Sequence, residues 1–266
     1  MFDIFQFEFM QRAFLAGTLV AILAPMIGIF IVVRRYSPLA DSLSHVSLVG
    51  VAIALITNTS PMLLAGGTTV LASLGIEKIR STQKSFSDSI LVLFTTGSLG
   101  LATIITSLNK GFTNSLDSFL FGSIATVSTL DIYIISVAFL TILTIMIFAY
   151  RQLFVLVFDE EIAQTNGIKT DLLNYTIIVI AAIIISISIR TVGALLISCL
   201  LIVPVISTLQ LKLNFKSTLI SSILVSLLSV WCGLVISYYL NLASGGTIAV
   251  LNLIIFLILF FWKKLG

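Results

Sequence analysis

Nine apolar stretches, most of them near the length of a membrane crossing, fill this 266-residue chain almost end to end. They run over about 13–33, 39–57, 62–77, 88–108, 131–150, 172–189, 192–211, 217–240 and 246–262. An α-helix needs about 20 such residues to cross a bilayer's hydrocarbon layer. Only helices and closed barrels satisfy their own backbone there, and the alternating pattern of a barrel strand is absent. Charged residues make up 9% of the chain, against about 25% in a soluble domain, too few to hold a surface in water. The expectation is an all-α polytopic bundle of about nine (eight to nine) transmembrane helices, embedded in lipid as a single domain over 1–266. A net charge of +3 is then no sign of nucleic-acid binding. Cys199 and Cys232 both fall in apolar stretches and read as packing residues rather than a disulfide or metal pair. The start, "MFDIFQFEFMQR", lacks the basic region of a cleavable signal peptide.

Orientation follows from the basic residues, which concentrate on the cytosolic side. With the N-terminus outside and nine spans, the inner connections hold Arg34, Arg35, Lys78, Arg80, Lys84, Arg151, Lys169, Lys212, Lys216, Lys263 and Lys264. The outer segments hold only Arg12, Lys110 and Arg190. An even number of spans breaks this alternation, which favours nine over eight. The segment "LDSFLFGSIATVS", 116–128, is apolar but too short to cross and reads as re-entrant or interfacial. Asp88, Asp117 and Asp131 fall at span edges, where solvation is the plain reading. Pro25 and Pro204 lie inside spans and should kink them. Gly97, Gly100 and Gly193 with Ala194 read as close-packing positions.

One inner connection differs from the rest. "RQLFVLVFDEEIAQTNGIKTD", 151–171, mixes Phe154–Phe158 with Asp159, Glu160 and Glu161. Those apolar residues are badly placed in an open loop, and Asn166-Gly167 makes a helix stop. The segment reads as a short amphipathic helix on the cytosolic face, open to a soluble partner. Glu160, Glu161, Ala163 and Gly167 are its expected contact residues. The chain has no GxxxxGK[ST] phosphate loop, no HExxH and no GxSxG, so it is expected to be no enzyme and to leave ATP hydrolysis to another subunit.

The only histidine stands in "LADSLSHVSL", 39–48. Asp41 and His45 are four residues apart, which on a helix places both side chains on one face. Ser37, Ser44 and Leu48 lie near that face. A carboxylate in the hydrocarbon layer costs about 2.5–3.5 kcal/mol on insertion scales and normally faces a cavity, a partner or an ion path. Imidazole with carboxylate suits divalent ions such as zinc and manganese. Two ligands are too few for a closed site, whereas a two-fold dimer supplies four. The alternatives are that the pair bonds only to itself, or seats the helix end near Arg34 and Arg35.

The stretch "FMQRAFLAGTLVAILAPMIGIFIVVRRYSPLADSLSHVSLVGVAIA" resembles the opening of the permease subunits of bacterial ABC importers for zinc and manganese. The resemblance continues, in order, through "LDSFLFGSIATVS", "FDEEIAQTNGI", "VGALLISCLLIVPVIST" and "SYYLNLASGGTIAVL". It implies a homodimeric permease in the bacterial cell membrane, two cytosolic ATP-binding subunits and an extracytoplasmic metal-binding protein. It puts Asp41 and His45 on the metal path and makes "FDEEIAQTNGI" the segment that meets the ATPase. The divalent cation is cargo, and no permanently bound cofactor is implied. Zinc is the favoured cargo because imidazole suits it better, with manganese or iron as the alternative. A siderophore or cobalamin permease needs no charged ligands at its narrow point. A proton-coupled secondary carrier, the remaining alternative, calls for several embedded acids or an inverted repeat, and neither is evident.

Overall fold

The computed structural model describes residues 6–83, 86–108, 118–122 and 127–265. Its helices are α1 (Glu8–Val33), α2 (Ser37–Thr57), α3 (Pro61–Thr82), α4 (Ser87–Ser107), α5 (Thr129–Phe158), α6 (Glu160–Thr165), α7 (Thr170–Ser188), α8 (Ala194–Leu209), α9 (Phe215–Leu240) and α10 (Ser244–Leu265). Eight are long and apolar enough to cross a membrane, and α8 is a shorter apolar helix. These account for the nine expected stretches. Lys84, Lys110 and Asp117 lie outside the described residues.

α1, α2 and α7 are the most enclosed of the long helices, while α3, α4, α5, α9 and α10 leave most of their surface open. That is the arrangement a bundle adopts in lipid, where outward-facing Leu93, Leu101, Leu140, Phe148 and Leu228 meet a solvent as apolar as themselves. The largest buried cluster joins α1, α7 and α8 through Ile27, Phe30, Ile180, Ile184, Ile197 and Leu201. α1 and α8 approach so closely that a Cβ on Gly28 would overlap the Leu201 carbonyl. Gly50 does the same for α2 against α3. Gly97 and Gly100, expected to serve such contacts, have nothing within 4 Å of an added Cβ. The reason is that they lie on the open side of α4.

Connections are short. Residues 34–36, 58–60 and 241–243 each join two helices, and 189–193 and 210–214 are little longer. The one long connection between described helices runs from 108 to 128.

The cytosolic segment departs from expectation. The apolar residues Phe154–Phe158 form no separate amphipathic helix but extend α5 to 30 residues. Nothing between Tyr150 and Phe158 breaks a helix, and Phe154 and Phe158 pack edge-on against Phe215 at 5.1 and 5.9 Å. The break comes at Asp159, which turns extended (φ −154, ψ 108) and accepts from the amides of Glu161 and Ile162, a side-chain N-cap. Only Glu160–Thr165 forms a separate short helix there.

At the opposite end, Ser118–Phe121 is one helical turn. Phe119 packs with Leu48, Val51, Ala65, Ala102, Ile189 and Ala194, closing over the far end of α2. Gly122 and Gly193, both at positive φ (+73 and +96), let these backbones touch, since a Cβ on Gly193 would stand 2.5 Å from the Gly122 nitrogen. The other residues of 116–128, apart from Val127 and Ser128, lie outside the described set.

Candidate metal path and coupling surface

α2 starts with Pro38 in its first turn, where a missing amide costs nothing. It is one continuous helix, so Asp41 and His45 project from its first two turns. His45 Nε2 stands 3.6 Å from Asp41 Oδ1, too far for a hydrogen bond. Two atoms each bound to one zinc at about 2.0–2.2 Å stand roughly 3.3 Å apart at a tetrahedral angle, so the observed spacing is close to that of two ligands of one ion. His45 Nδ1 is buried and has no hydrogen-bond partner among the described residues. The His45 side chain is 10% exposed and that of Asp41 51%.

At 3.6 Å the two groups are within ion-pair reach of each other but not hydrogen-bonded, and Arg34 is engaged elsewhere. Its guanidinium bonds Asn174 Oδ1, and it bonds Glu160 at 3.0 Å. Among the described residues no ion pair joins Asp41 to Arg35.

The rest of α2 near the pair is polar but neutral. Ser42 donates to the Leu91 carbonyl at 2.8 Å and meets the Thr95 hydroxyl at 2.8 Å. Ser44 donates to the Asp41 carbonyl, and Ser198 of α8 donates to Ser44 at 3.3 Å. α3, α4 and α8 thus cover most of α2. What stays at least partly open is the stripe Pro38, Asp41, Val49 and Ile53, with buried His45 between Asp41 and Val49. No group of three His, Cys, Asp or Glu able to hold a metal occurs among the described residues. One chain therefore offers two candidate ligands, a half-exposed Asp41 and a buried His45.

Below the pair lies a polar cleft of about 350 Å³, lined by Tyr36, Glu77, Arg80, Glu160, Asp171 and Asn174. Arg80 bonds Glu77 at 2.6 Å, with both side chains nearly sealed from solvent, and its guanidinium sits 3.5 Å from the Tyr36 ring centroid. In α6, Ala163 is fully buried in the main core and Glu160 turns inward to Arg34 and Asn174. Glu161, Ile162, Thr165, Asn166 and Gly167 face out. The four coupling residues expected from sequence are thus divided, with Glu161 and Gly167 outward, Glu160 half-buried and Ala163 inside.

From the sequence, Arg80 has only a topological role, Arg34 is at most a neighbour of the Asp41–His45 pair, and Asp131 reads as a solvated edge residue. Asp131 is in fact 4% exposed. It closes a capping box with Ser128 and accepts from Arg190 at 3.0 and 2.8 Å. A signal was available, since acids and bases at span ends that pair rather than dissolve tend to occur in opposite charges on adjacent spans. Which of several acids Arg190 would meet was not readable along the chain.

Known proteins resemble this chain in both sequence and fold. The model of a family described as "ABC 3 transport family" matches residues 6–263. A probable metal transport system membrane protein of Treponema pallidum is 37% identical over 98% of both chains. The manganese import system permease protein ScaB of Streptococcus gordonii is 31% identical, over 96% of this chain and 91% of its own. The high-affinity zinc uptake system membrane protein ZnuB of Haemophilus influenzae is 25% identical, over 97% and 99%. The solved structure of PsaBC from Streptococcus pneumoniae in complex with Fab superposes with a TM-score of 0.86 at 28% identity, over 97% of this chain and 92% of the other.

Proposed function

This chain belongs to the ABC 3 transport family, and from that premise we propose that it is the membrane permease of an importer that passes zinc across the Asp41–His45 face of α2. The observation that carries this reading is the half-built ligand set, two groups 3.6 Å apart with the Asp41 carboxylate half-exposed. A second copy packed two-fold against that face brings a second Asp41 and His45. A two-fold interface is self-complementary, and four ligands complete the shell that zinc prefers. The carboxylates offset the large desolvation penalty of a dication in a low-dielectric layer.

Energy enters through cytosolic ATP-binding subunits that grip the outward residues of α6 and its exit, Glu161, Ile162, Thr165, Asn166 and Gly167. Glu160 and Ala163 hold that helix to the body of the permease. An extracytoplasmic metal-binding protein delivers the ion, and no cofactor is retained. Zinc is preferred on the imidazole donor. Manganese is the second reading, supported by the half-exposed Asp41 oxygens, which suit a harder ion, and by the manganese-named relative.

The test is uptake of labelled zinc and manganese by the purified complex with its ATPase in proteoliposomes. ATP-dependent zinc entry, faster than manganese, is expected. Entry driven by a proton gradient without ATP would turn the reading toward a secondary carrier, and manganese entry alone would reassign the cargo.

A further inference from the structure

We propose that Arg34 is a positioning residue for transport. Through its ion pair with Glu160 it carries the motion of the ATPase-facing helix to the metal pair. This rests on the transport reading above and adds the residue that links its two halves.

Arg34 is the first of only three residues between α1 and α2. Its side chain is 7% exposed. It bonds Glu160 at 3.0 Å and the Asn174 carbonyl oxygen, and Asn174 donates to the other Glu160 oxygen at 3.2 Å. The first residue of α6 is therefore held in a closed triangle with the α1–α2 turn and α7. With the guanidinium this enclosed, displacement of Glu160 either draws Arg34 along or removes the counterion of a mostly buried charge.

The turn transmits such a pull rather than absorbing it. Arg35 sits at φ +59. Its amide bonds the Val32 carbonyl at 3.0 Å, and the Tyr36 amide bonds that of Ile31 at 2.8 Å. A second anchor grips the next residue, where Arg80, paired to Glu77, covers the Tyr36 ring. Asp41 follows Tyr36 by five residues, roughly 7.5 Å along a helix rising about 1.5 Å per residue. From Glu160 to Asp41 every link is thus a short bond or a rigid turn.

The experiment measures zinc ions imported per ATP hydrolysed in the reconstituted complex, together with zinc bound at equilibrium. Arg34→Gln and Glu160→Gln are each expected to lower the transport ratio about tenfold, within the range of ordinary site-to-site coupling, with zinc affinity unchanged. The exchanged pair, Arg34→Glu with Glu160→Arg, is expected to recover most of the loss. Glu160 is half-buried at the edge of the fold, so its variant tests the link even where an Arg34 variant folds poorly. Wild-type ratios in both single variants would overturn the proposal. So would a loss that the exchange does not recover, or one matched by lost zinc affinity, which would make Arg34 a builder of the site rather than its mover. A wild-type complex that moves no zinc would instead remove the transport reading itself.

Discussion

Arg190 holds both carboxylate oxygens of Asp131, at 3.0 and 2.8 Å, and so ties the exit of α7 to the entry of α5. The same carboxylate caps α5 through Ser128. One side chain thus serves as a cap and as a counterion. Asp131→Asn keeps the shape but strands a mostly buried guanidinium whose Nε has no partner among the described residues. The expected loss is about 3 kcal/mol, the range for breaking one half of a buried pair. Thermal unfolding of the purified protein checks this. In a double-mutant cycle, Arg190→Gln should add little to Asp131→Asn.

At the metal pair, Asp41→Asn and His45→Ala should each suppress zinc uptake while leaving the protein in the membrane. Asp41→Asn should be the more severe. It removes the charge that offsets a dication, and several kcal/mol in a low-dielectric site correspond to about 100-fold or more in rate. His45→Ala removes a nitrogen ligand but keeps the carboxylate, so slow zinc or manganese flux should survive. Uptake per folded complex is the deciding measurement. Wild-type flux per molecule in both variants would return the pair to a purely structural role.

Gly167 offers a cleaner probe of the ATPase contact than its neighbours. It sits at φ +74 with open space around an added Cβ. A side chain there strains the backbone by about 1–2 kcal/mol but strikes nothing within the chain. Gly167→Trp should fold and reach the membrane, and the complex carrying it with the ATP-binding subunits should hydrolyse ATP without moving zinc, whereas Gly167→Ala should remain largely coupled. Coupled transport by the Trp variant would move the contact elsewhere on the inner face.

Orientation is checked by labelling with a membrane-impermeant thiol reagent applied from outside. In a background lacking Cys199 and Cys232, Asn241→Cys should react and Thr82→Cys should not. Both positions are exposed at helix ends, whereas nearby Ser244 is 3% exposed and makes a poor reporter. The reverse pattern would invert the topology and move α6 away from the cytosol.

The spans were legible in the sequence because each is a long apolar run, and length alone separates a crossing helix from a core helix. Asp41 and His45 were legible because a charged i, i+4 pair in such a chain has few uses. The fate of Phe154–Phe158 was not. An apolar run beside acids fits an amphipathic surface helix or a prolonged transmembrane one equally well, and Phe215, 57 residues beyond Phe158, decides it. Arg34 was visible as a basic residue on the expected side and as a candidate neighbour of the Asp41–His45 pair, not as the partner of Glu160. Its partners Glu160 and Asn174 come from two distant helices, and linear spacing carries no record of that meeting. Gly28 and Gly50 had the same limit, since close packing belongs to the partner helix as much as to the glycine.

The brevity of the helix connections restricts where a delivery protein can stand. Of the short outer turns, 189–193 is buried apart from Arg190, which leaves six exposed residues, 58–60 and 241–243. A specific protein–protein contact occupies about 20–30 residues on each side. Two copies of the chain side by side still fall well short of that footprint from these turns alone. For an extracytoplasmic partner of the proposed importer, these turns alone are too small a landing area, and the rest of the contact must lie beyond them.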